Sequence, residues 1–388
     1  MIETVAISGY RSLRELVLPM RRLTLVTGAN GSGKSSLYRA LRLLGDAAMN
    51  SVVASLAREG GLPSTLWAGP EVIARSVRAG EHEVEPLAKR TPAQLKLGFS
   101  GDSYGYSIEL GYPEGAVTMF KLDPAIKRES LWHGGVYRPA TALVERRKAV
   151  VTLPGERGEE PEVLTWKLSS VDSMLVTVAE PQRAPEMVAV REAIRGWRFY
   201  EGFRTDALSP VRVPQVGTFT PVLHNDGTDL PAALQTIRMI GDAELLERTV
   251  EDAFAGSRVV IEQAAGRMEV LLQQHGMLRP LGAAELSDGT LRFLLWTAAL
   301  LTPRPPELMV LNEPETSLHP DLLPALARLI LAAAEKTQIV VVSHAAALIA
   351  ALEASAQCGR VHLEKSFGET TVAGETLFSR PKWVWPVR

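Results

Sequence analysis

The sequence predicts an α/β protein: a mixed sheet with parallel strands, an inserted antiparallel β region and a helical lobe. Three observations lead there. Two short β-rich runs near the start open into a glycine-rich turn followed by a helical pattern. From about residue 94 the hydrophobicity alternates, with the turn residues GDS between QLKLGFS and YGYSIELGY. Helical periodicity then resumes near residue 185, and after residue 304 apolar strand-like runs alternate with helices again. These shifts divide the chain into a first lobe (1–183), a mostly helical lobe (184–303) and a return to the first lobe (304–388).

Bulk composition sets the limits. The chain has 388 residues, 46% hydrophobic and 22% charged, enough to bury a sizeable core. With 42 basic against 44 acidic residues the net charge is -2, so no global field draws it to nucleic acid or anionic lipid. Any such surface must be a local patch. One cysteine, Cys358, excludes an intramolecular disulfide framework and fits a reducing compartment. The N-terminus carries Glu3 where a signal peptide would want positive charge. The longest apolar run, FLLWTAALL (293–301), falls well short of the roughly 18 to 20 residues that span a bilayer. A cytoplasmic protein with no membrane partner is expected. No heptads with apolar a and d positions run through the chain, which argues against a long coiled-coil arm.

Taken in order, ETVAISGY and LTLVTG read as strands, and KSSLYRALRLLGDAAMNSVVASLA as one helix. KAVVTL and EVLTWKL extend the antiparallel region. PEMVAVREAIRGW and LPAALQTIRMIGDAELLERTVEDAF read as helical, with a loop rich in Pro and Gly (209–227) between them. SRVVIEQ and RMEVLLQQHG form a hairpin closed around Gly266. ELMVLNEPE and QIVVVSHAAAL have the continuous apolar runs of buried parallel strands, with the helix DLLPALARLILAAAEK between them.

The chemistry begins at GANGSGKS (28–35), a phosphate-loop pattern. Its glycines let backbone amides of Gly28, Ala29, Asn30, Gly31, Ser32 and Gly33 curl around phosphates. Lys34 supplies a point charge, Ser35 a hydroxyl for magnesium, and Ser36 continues the helix start. ATP and Mg2+ are the cofactors this implies. Glu313, at the end of a strand, is a candidate to orient and polarise an attacking water. Glu315 reads as a solvated acid beside the turn at 317–319. Ser287, Asp288 and Gly289 precede an apolar helix, either as a plain cap or as an anion-binding terminus. Ser343 and His344 end a strand, where a lone His is more often structural than catalytic.

The order of these elements, phosphate loop, LSDGT, LNEPE, SLHP and VVSH, resembles the Walker A, signature, Walker B, D-loop and switch-His series of the ABC-type ATPases. It is similar to the soluble branch that includes RecF, the SMC proteins and the OLD-type ATPases, and within it to stand-alone bacterial AAA-family ATPases. The resemblance is specific over about residues 1–45 and 282–350 and implies the ABC-type P-loop ATPase fold. It implies a homodimer with ATP at the interface, in which Ser287 and Gly289 touch the γ phosphate of the nucleotide held by the second subunit. His344 contacts that phosphate from its own subunit, Glu313 is the general base, Lys34 binds phosphate, and Arg11 in GYRSL lies near the nucleotide. The implied cargo is DNA, in repair, chromosome maintenance or phage defence. Two other readings are a nucleotide-gated sensor or toxin-type interaction module, with a protein partner and negligible turnover, and a transporter's ATP-binding subunit. LSDGT in place of LSGGQ argues against the transporter.

Two departures stand out. The family's magnesium-sensing glutamine is not identified in the sequence, and Gln94, which begins the β region, is a poor match. Asn312 replaces the acid that normally attends magnesium. Asn keeps a carbonyl oxygen but loses the charge, which predicts roughly tenfold weaker magnesium binding and a slow ATPase instead of a dead one. Basic candidates for DNA are ERRK (145–148) and Arg191, Arg195, Arg198 and Arg204 around GWRFYEGFR, where a solvated basic face with core aromatics is the stronger reading. Trp383 and Trp385 in the tail are expected to pack on the protein itself.

Overall fold

The computed structural model describes residues 1–69, 94–113, 119, 122–155, 160–178, 180–376 and 379–386. The chain forms two compact units, one of Met1–Arg21, Thr27–Trp197 and Val361–Arg388, the other of Arg22–Val26 and Arg198–Arg360.

The first unit is built on an eight-stranded sheet. Its strands are β1 (Ile2–Tyr10), β2 (Leu13–Pro19), β4 (Gln94–Gly101), β5 (Tyr104–Gly111), β6 (Ala125–His133), β7 (Ala142–Arg147), β8 (Val150–Leu153) and β9 (Glu162–Thr165). Every neighbouring pair is antiparallel, in the order β2-β1-β4-β5-β6-β7-β8-β9. The inserted β region is therefore larger than its own stretch of sequence, because β1 and β2 join it. Helices α1 (Lys34–Ala47), α2 (Val52–Arg58), α3 (Gly61–Thr65), α4 (Met174–Thr177) and α5 (Pro185–Gly196) complete the unit with a hairpin of β17 (Cys358–Ser366), whose first three residues belong to the second unit, and β18 (Glu369–Val372).

The single helix expected over 34–57 is broken between α1 and α2. Asn50 turns into the left-handed region, φ 55°. Its amide group is used elsewhere: Nδ2 donates to Asp172 at 2.8 Å and Oδ1 accepts from the Ser173 amide at 2.9 Å. The expectation that ERRK offers a basic surface is also corrected at Arg146, which is fully buried with Glu129 at 2.7 Å. Arg146 also donates to the carbonyls of Lys148, Ser169 and Asp172. Glu129 in turn accepts from Tyr106, from Ser173 and from the Met174 amide. A fully satisfied buried pair of this kind fixes a loop onto a sheet. Trp383 packs edge-on to Trp132 at 5.7 Å and to Trp385 at 5.1 Å, so the tail aromatics serve the protein's own core.

The second unit centres on parallel strands in the order β10-β15-β16-β3. These are β10 (Arg198–Tyr200), β15 (Leu308–Asn312), β16 (Gln338–Val342) and β3 (Leu23–Gly28), whose last two residues belong to the first unit. Residues 308–311 and 338–342 are buried throughout, as strands covered on both faces must be. Around them lie α6 (Leu230–Ile240), α7 (Ala243–Ala253), α8 (Asp288–Leu300), α9 (Leu323–Ala334) and α10 (Ala346–Glu353). The helical stretch 230–254 divides at Gly241 because Asp242 caps α7, its side chain accepting the Leu245 amide at 2.8 Å. A small sheet holds β11 (Gln215–Val216), β12 (Arg258–Ala264), β13 (Arg267–Gln273) and β14 (Leu281–Gly282). Its β12–β13 hairpin closes on Ala265 and Gly266, both at positive φ, the two-residue turn whose twist suits antiparallel strands. The apolar run at 293–301 is a buried core helix, and among the described residues no helix is long and apolar enough to cross a membrane.

The aromatics of GWRFYEGFR are core residues, with Trp197, Tyr200 and Phe203 buried. Arg191 and Arg195 share Glu192, and Arg204 pairs with Asp206. Cys358 is half-buried and free, and burial, then Glu353, pushes its thiol up.

Candidate functional site

The phosphate loop leaves β3 at Gly28 and enters α1 at Lys34. Gly28, Gly31 and Gly33 all have positive φ, at 149°, 79° and 109°. The Lys34 ammonium is buried and donates to the carbonyls of Gly28 at 2.7 Å and Ala29 at 3.0 Å. Lys34 thus closes the loop on itself. Ala29, Asn30, Gly31 and Ser35 are exposed, Ser36 is half-buried and Ser32 is buried. α1 has Gly33 as its N-cap, no side-chain cap and no acid in its first turn. Such a terminus offers amides and positive potential to an anion.

Arg11, at the turn between β1 and β2, has a strong partner of its own. Its guanidinium donates to Glu59 Oε2 at 2.6 Å, and the Tyr10 hydroxyl donates to the same oxygen at 2.6 Å. Burial, then that bond, pushes the Tyr10 phenol well above its ordinary value. It is the next residue, Ser12, that reaches the loop's surroundings, through Thr370.

In the second unit, β15 and β16 end side by side, Asn312 opposite Val342. Glu313 turns out of the strand with φ 49°, its amide donating to the Val342 carbonyl at 2.8 Å. Its carboxylate lies 3.6 Å from Nδ1 of His344. Both side chains are open to solvent. Asn312 Oδ1 is buried with no hydrogen-bond partner. Glu315 corrects its reading as a solvated acid, for it is only 7% exposed. Its Oε1 accepts from Ser343 Oγ at 2.7 Å and from the amides of His344 at 2.9 Å and Ala345 at 3.2 Å. It also stands 3.4 Å from His344 Nδ1. Glu315 thereby fixes the segment carrying His344. The acid at the second position after Glu313 was the only sequence signal for it, and its partners lie on another strand.

Ser287 caps α8, its Oγ accepting the Thr290 amide at 3.1 Å. Asp288 pairs with Arg212 at 2.6 Å. Arg212 also donates to the carbonyls of Ala283 and Leu286, holding the segment that leads into the helix. Sequence reading had no signal for Arg212. Gly289 faces the turn after Glu315: a Cβ there would stand 3.3 Å from the Ser317 carbonyl. Arg292, one turn on, donates to the Thr316 carbonyl at 2.8 Å and the Phe203 carbonyl at 2.8 Å, and burial holds its guanidinium below the usual value. Ser287, Gly289 and the turn at 316–317 are thus assembled together. His319 is exposed beside Asp321.

Among the described residues, no group of three or more His, Cys, Asp or Glu side chains could hold a metal ion by itself. In the first unit Ser35 offers an exposed hydroxyl, a donor type that suits magnesium carried by nucleotide phosphates. In the second unit Asn312 has a buried carbonyl oxygen with no hydrogen-bond partner, an acceptor without charge.

A phosphate loop opening the first helix, parallel strands ending in Asn312, Glu313 and His344, and a large antiparallel region define an ABC-type P-loop ATPase fold. The chain belongs to the family described as "AAA domain, putative AbiEii toxin, Type IV TA system", whose profile matches residues 23–350. Among solved structures it is similar to an SMC head bound to the C-winged helix domain of ScpA, with 13% identity and a TM-score of 0.54 over 97% of this chain and 98% of that one. It is also similar to the SMC head domain from Pyrococcus furiosus with an extended coiled coil, bound to the C-terminal domain of ScpA. There the identity is 14% and the TM-score 0.50, over 96% of this chain and 95% of that one. At these identities the likeness is one of fold. No curated protein matches the sequence.

Proposed function

We propose that the chain binds ATP and hydrolyses it slowly, and that two copies close head to head around two nucleotides. Residues 28–36 hold the phosphates, with Lys34 as their fixed charge. Magnesium, when bound, would screen phosphate charge, and Ser35 and Asn312 would attend it, Asn312 less firmly than an acid. Glu313 takes a proton from the attacking water, and His344 contacts the γ phosphate. Ser287 and Gly289 present the N-terminus of α8 to the nucleotide of the second copy. Arg11, held by Glu59, lies near the nucleotide in this reading.

The observation that carries this reading is the Glu313 carboxylate 3.6 Å from the His344 imidazole, at the C-terminal ends of adjacent parallel strands. Open α/β sheets bind their ligands at such ends. Phosphate release by wild type and Glu313→Gln, with and without DNA, tests it. A loss of about 100-fold or more on removing the base is expected, with ATP binding retained. Absence of turnover in wild type under every condition would sink the enzymatic reading.

DNA is the cargo suggested by the resemblance. The basic runs lend it little support, since Arg146 is buried and Arg191, Arg195 and Arg204 have acidic neighbours. A second reading, a nucleotide-gated interaction module of a toxin or defence system, is favoured by the missing charge at Asn312. DNA binding measured with ATP present separates the two.

A further inference from the structure

The β17–β18 hairpin, close to the end of the chain, touches the phosphate loop at two of its glycines. A Cβ on Gly28 would lie 2.3 Å from the Leu363 carbonyl, and one on Gly33 would lie 2.3 Å from Thr370 Oγ1. These glycines therefore serve a close approach within the protein as well as the curl around phosphate. Thr370 is fully buried. Its amide donates to the Ser12 carbonyl at 2.8 Å, and its Oγ1 lies 2.8 Å from both Ser12 Oγ and the Ser32 carbonyl. Arg14 and Glu369, 3.3 Å apart, brace the same two strands, β2 and β18.

A threonine hydroxyl has one proton, and a carbonyl can only accept. The Thr370 proton therefore goes to Ser32, and the Ser12 hydroxyl donates to Thr370. This is a directed relay, Ser12 to Thr370 to the Ser32 carbonyl, and it ends inside the phosphate loop. We propose that Thr370 is a positioning residue for the nucleotide, latching the phosphate loop to the β1–β2 turn through Ser12. The proposal rests on nucleotide binding at residues 28–36. It gives the GYRSL stretch a function through Ser12, while Arg11 beside it is occupied with Glu59. The latch fixes the Ser32 carbonyl, and hence the facing of the amides that follow it into α1.

The test uses the full chain with Thr370→Val, which keeps the branched shape and loses the hydroxyl, and Thr370→Ser, which keeps the hydroxyl. Two readouts are taken: amide hydrogen exchange of peptides covering residues 28–37 without nucleotide, and equilibrium binding of a fluorescent ATP analogue with magnesium. Thr370→Val is expected to speed exchange in that stretch and to weaken ATP binding about three- to tenfold, with Thr370→Ser restoring both. Ser12→Ala moves both readouts the same way by less, and it decides the matter if Thr370→Val fails to fold. Unchanged exchange over residues 28–37 in the Val variant, or equal effects of Val and Ser, would overturn the latch. Failure of wild type to bind ATP would instead remove the functional reading, with the exchange data still deciding the latch.

Discussion

Glu315→Ala removes the acceptor that holds three donors at the end of β16. Oε1 takes the Ser343 hydroxyl and the amides of His344 and Ala345, while Oε2 is buried without a partner. Leaving a buried donor unpaired costs about 1–3 kcal/mol, and Ser343 is fully buried. The amides of His344 and Ala345 are partly open to water, so each loses less. Against this, removing the acid relieves the burial of an unsatisfied oxygen, worth about 1–2 kcal/mol. The net loss is about 2–3 kcal/mol, which corresponds to a fall in Tm of roughly 2–4 °C for a chain of this length. Glu315→Gln keeps a carbonyl in place and turns charge-assisted bonds into neutral ones, so about 1 kcal/mol is expected. Thermal melts followed by circular dichroism read the difference. An Ala variant melting within about 1 °C of wild type, or a Gln variant as damaged as Ala, would refute the anchoring role.

Asn312→Asp restores the charge beside the metal, and the magnesium concentration for half-maximal phosphate release is expected to fall about tenfold with hydrolysis equal or faster. A large loss of activity would show that the amide has a role of its own. Arg146→Ala leaves Glu129 buried without its partner and should cost about 3–5 kcal/mol in a denaturant melt, with no specific change in DNA affinity. Glu313→Gly relieves a left-handed backbone and should stabilise the fold by about 1 kcal/mol while abolishing phosphate release. A Gly variant less stable than wild type would mean that the carboxylate contributes more to the fold than its backbone costs.

What the sequence made legible had local causes. The phosphate loop is written in glycines that serve one continuous turn, and the β12–β13 hairpin in a two-residue turn at Ala265 and Gly266. The apolar stretches of β15 and β16 announced their burial directly. The features that stayed hidden depend on partners distant along the chain. Asn50 breaks a helix because Asp172 and Ser173 take up its amide. Arg146 is one of three adjacent basic residues and is buried only because Glu129 lies on the neighbouring strand, β6. Glu315 looks like any acid after a proline until Ser343 and His344 are brought to it by the parallel pairing of β15 and β16. In each case the side chain's type was visible, and the partner that decides its role was not.

Backbone strain separates the two kinds of turn. Among the described residues, seven other than glycine have positive φ. Arg11, Lys148, Ala265 and Phe367 sit in two-residue hairpin turns, where that conformation follows the twist of the strands. Asn50 is a residue type that tolerates it. Glu313 and Ser317 remain, and neither joins the strands of a hairpin. Each costs about 1–2 kcal/mol relative to a right-handed or extended backbone. Glu313 is the more constrained, since the Pro314 that follows favours an extended conformation before it. What holds Glu313 there is its amide on the Val342 carbonyl, which continues the β16 pairing one residue past Asn312. Gly or Asn would occupy that backbone with less strain. Neither would supply what Glu313 does, a carboxylate 3.6 Å from the imidazole of His344.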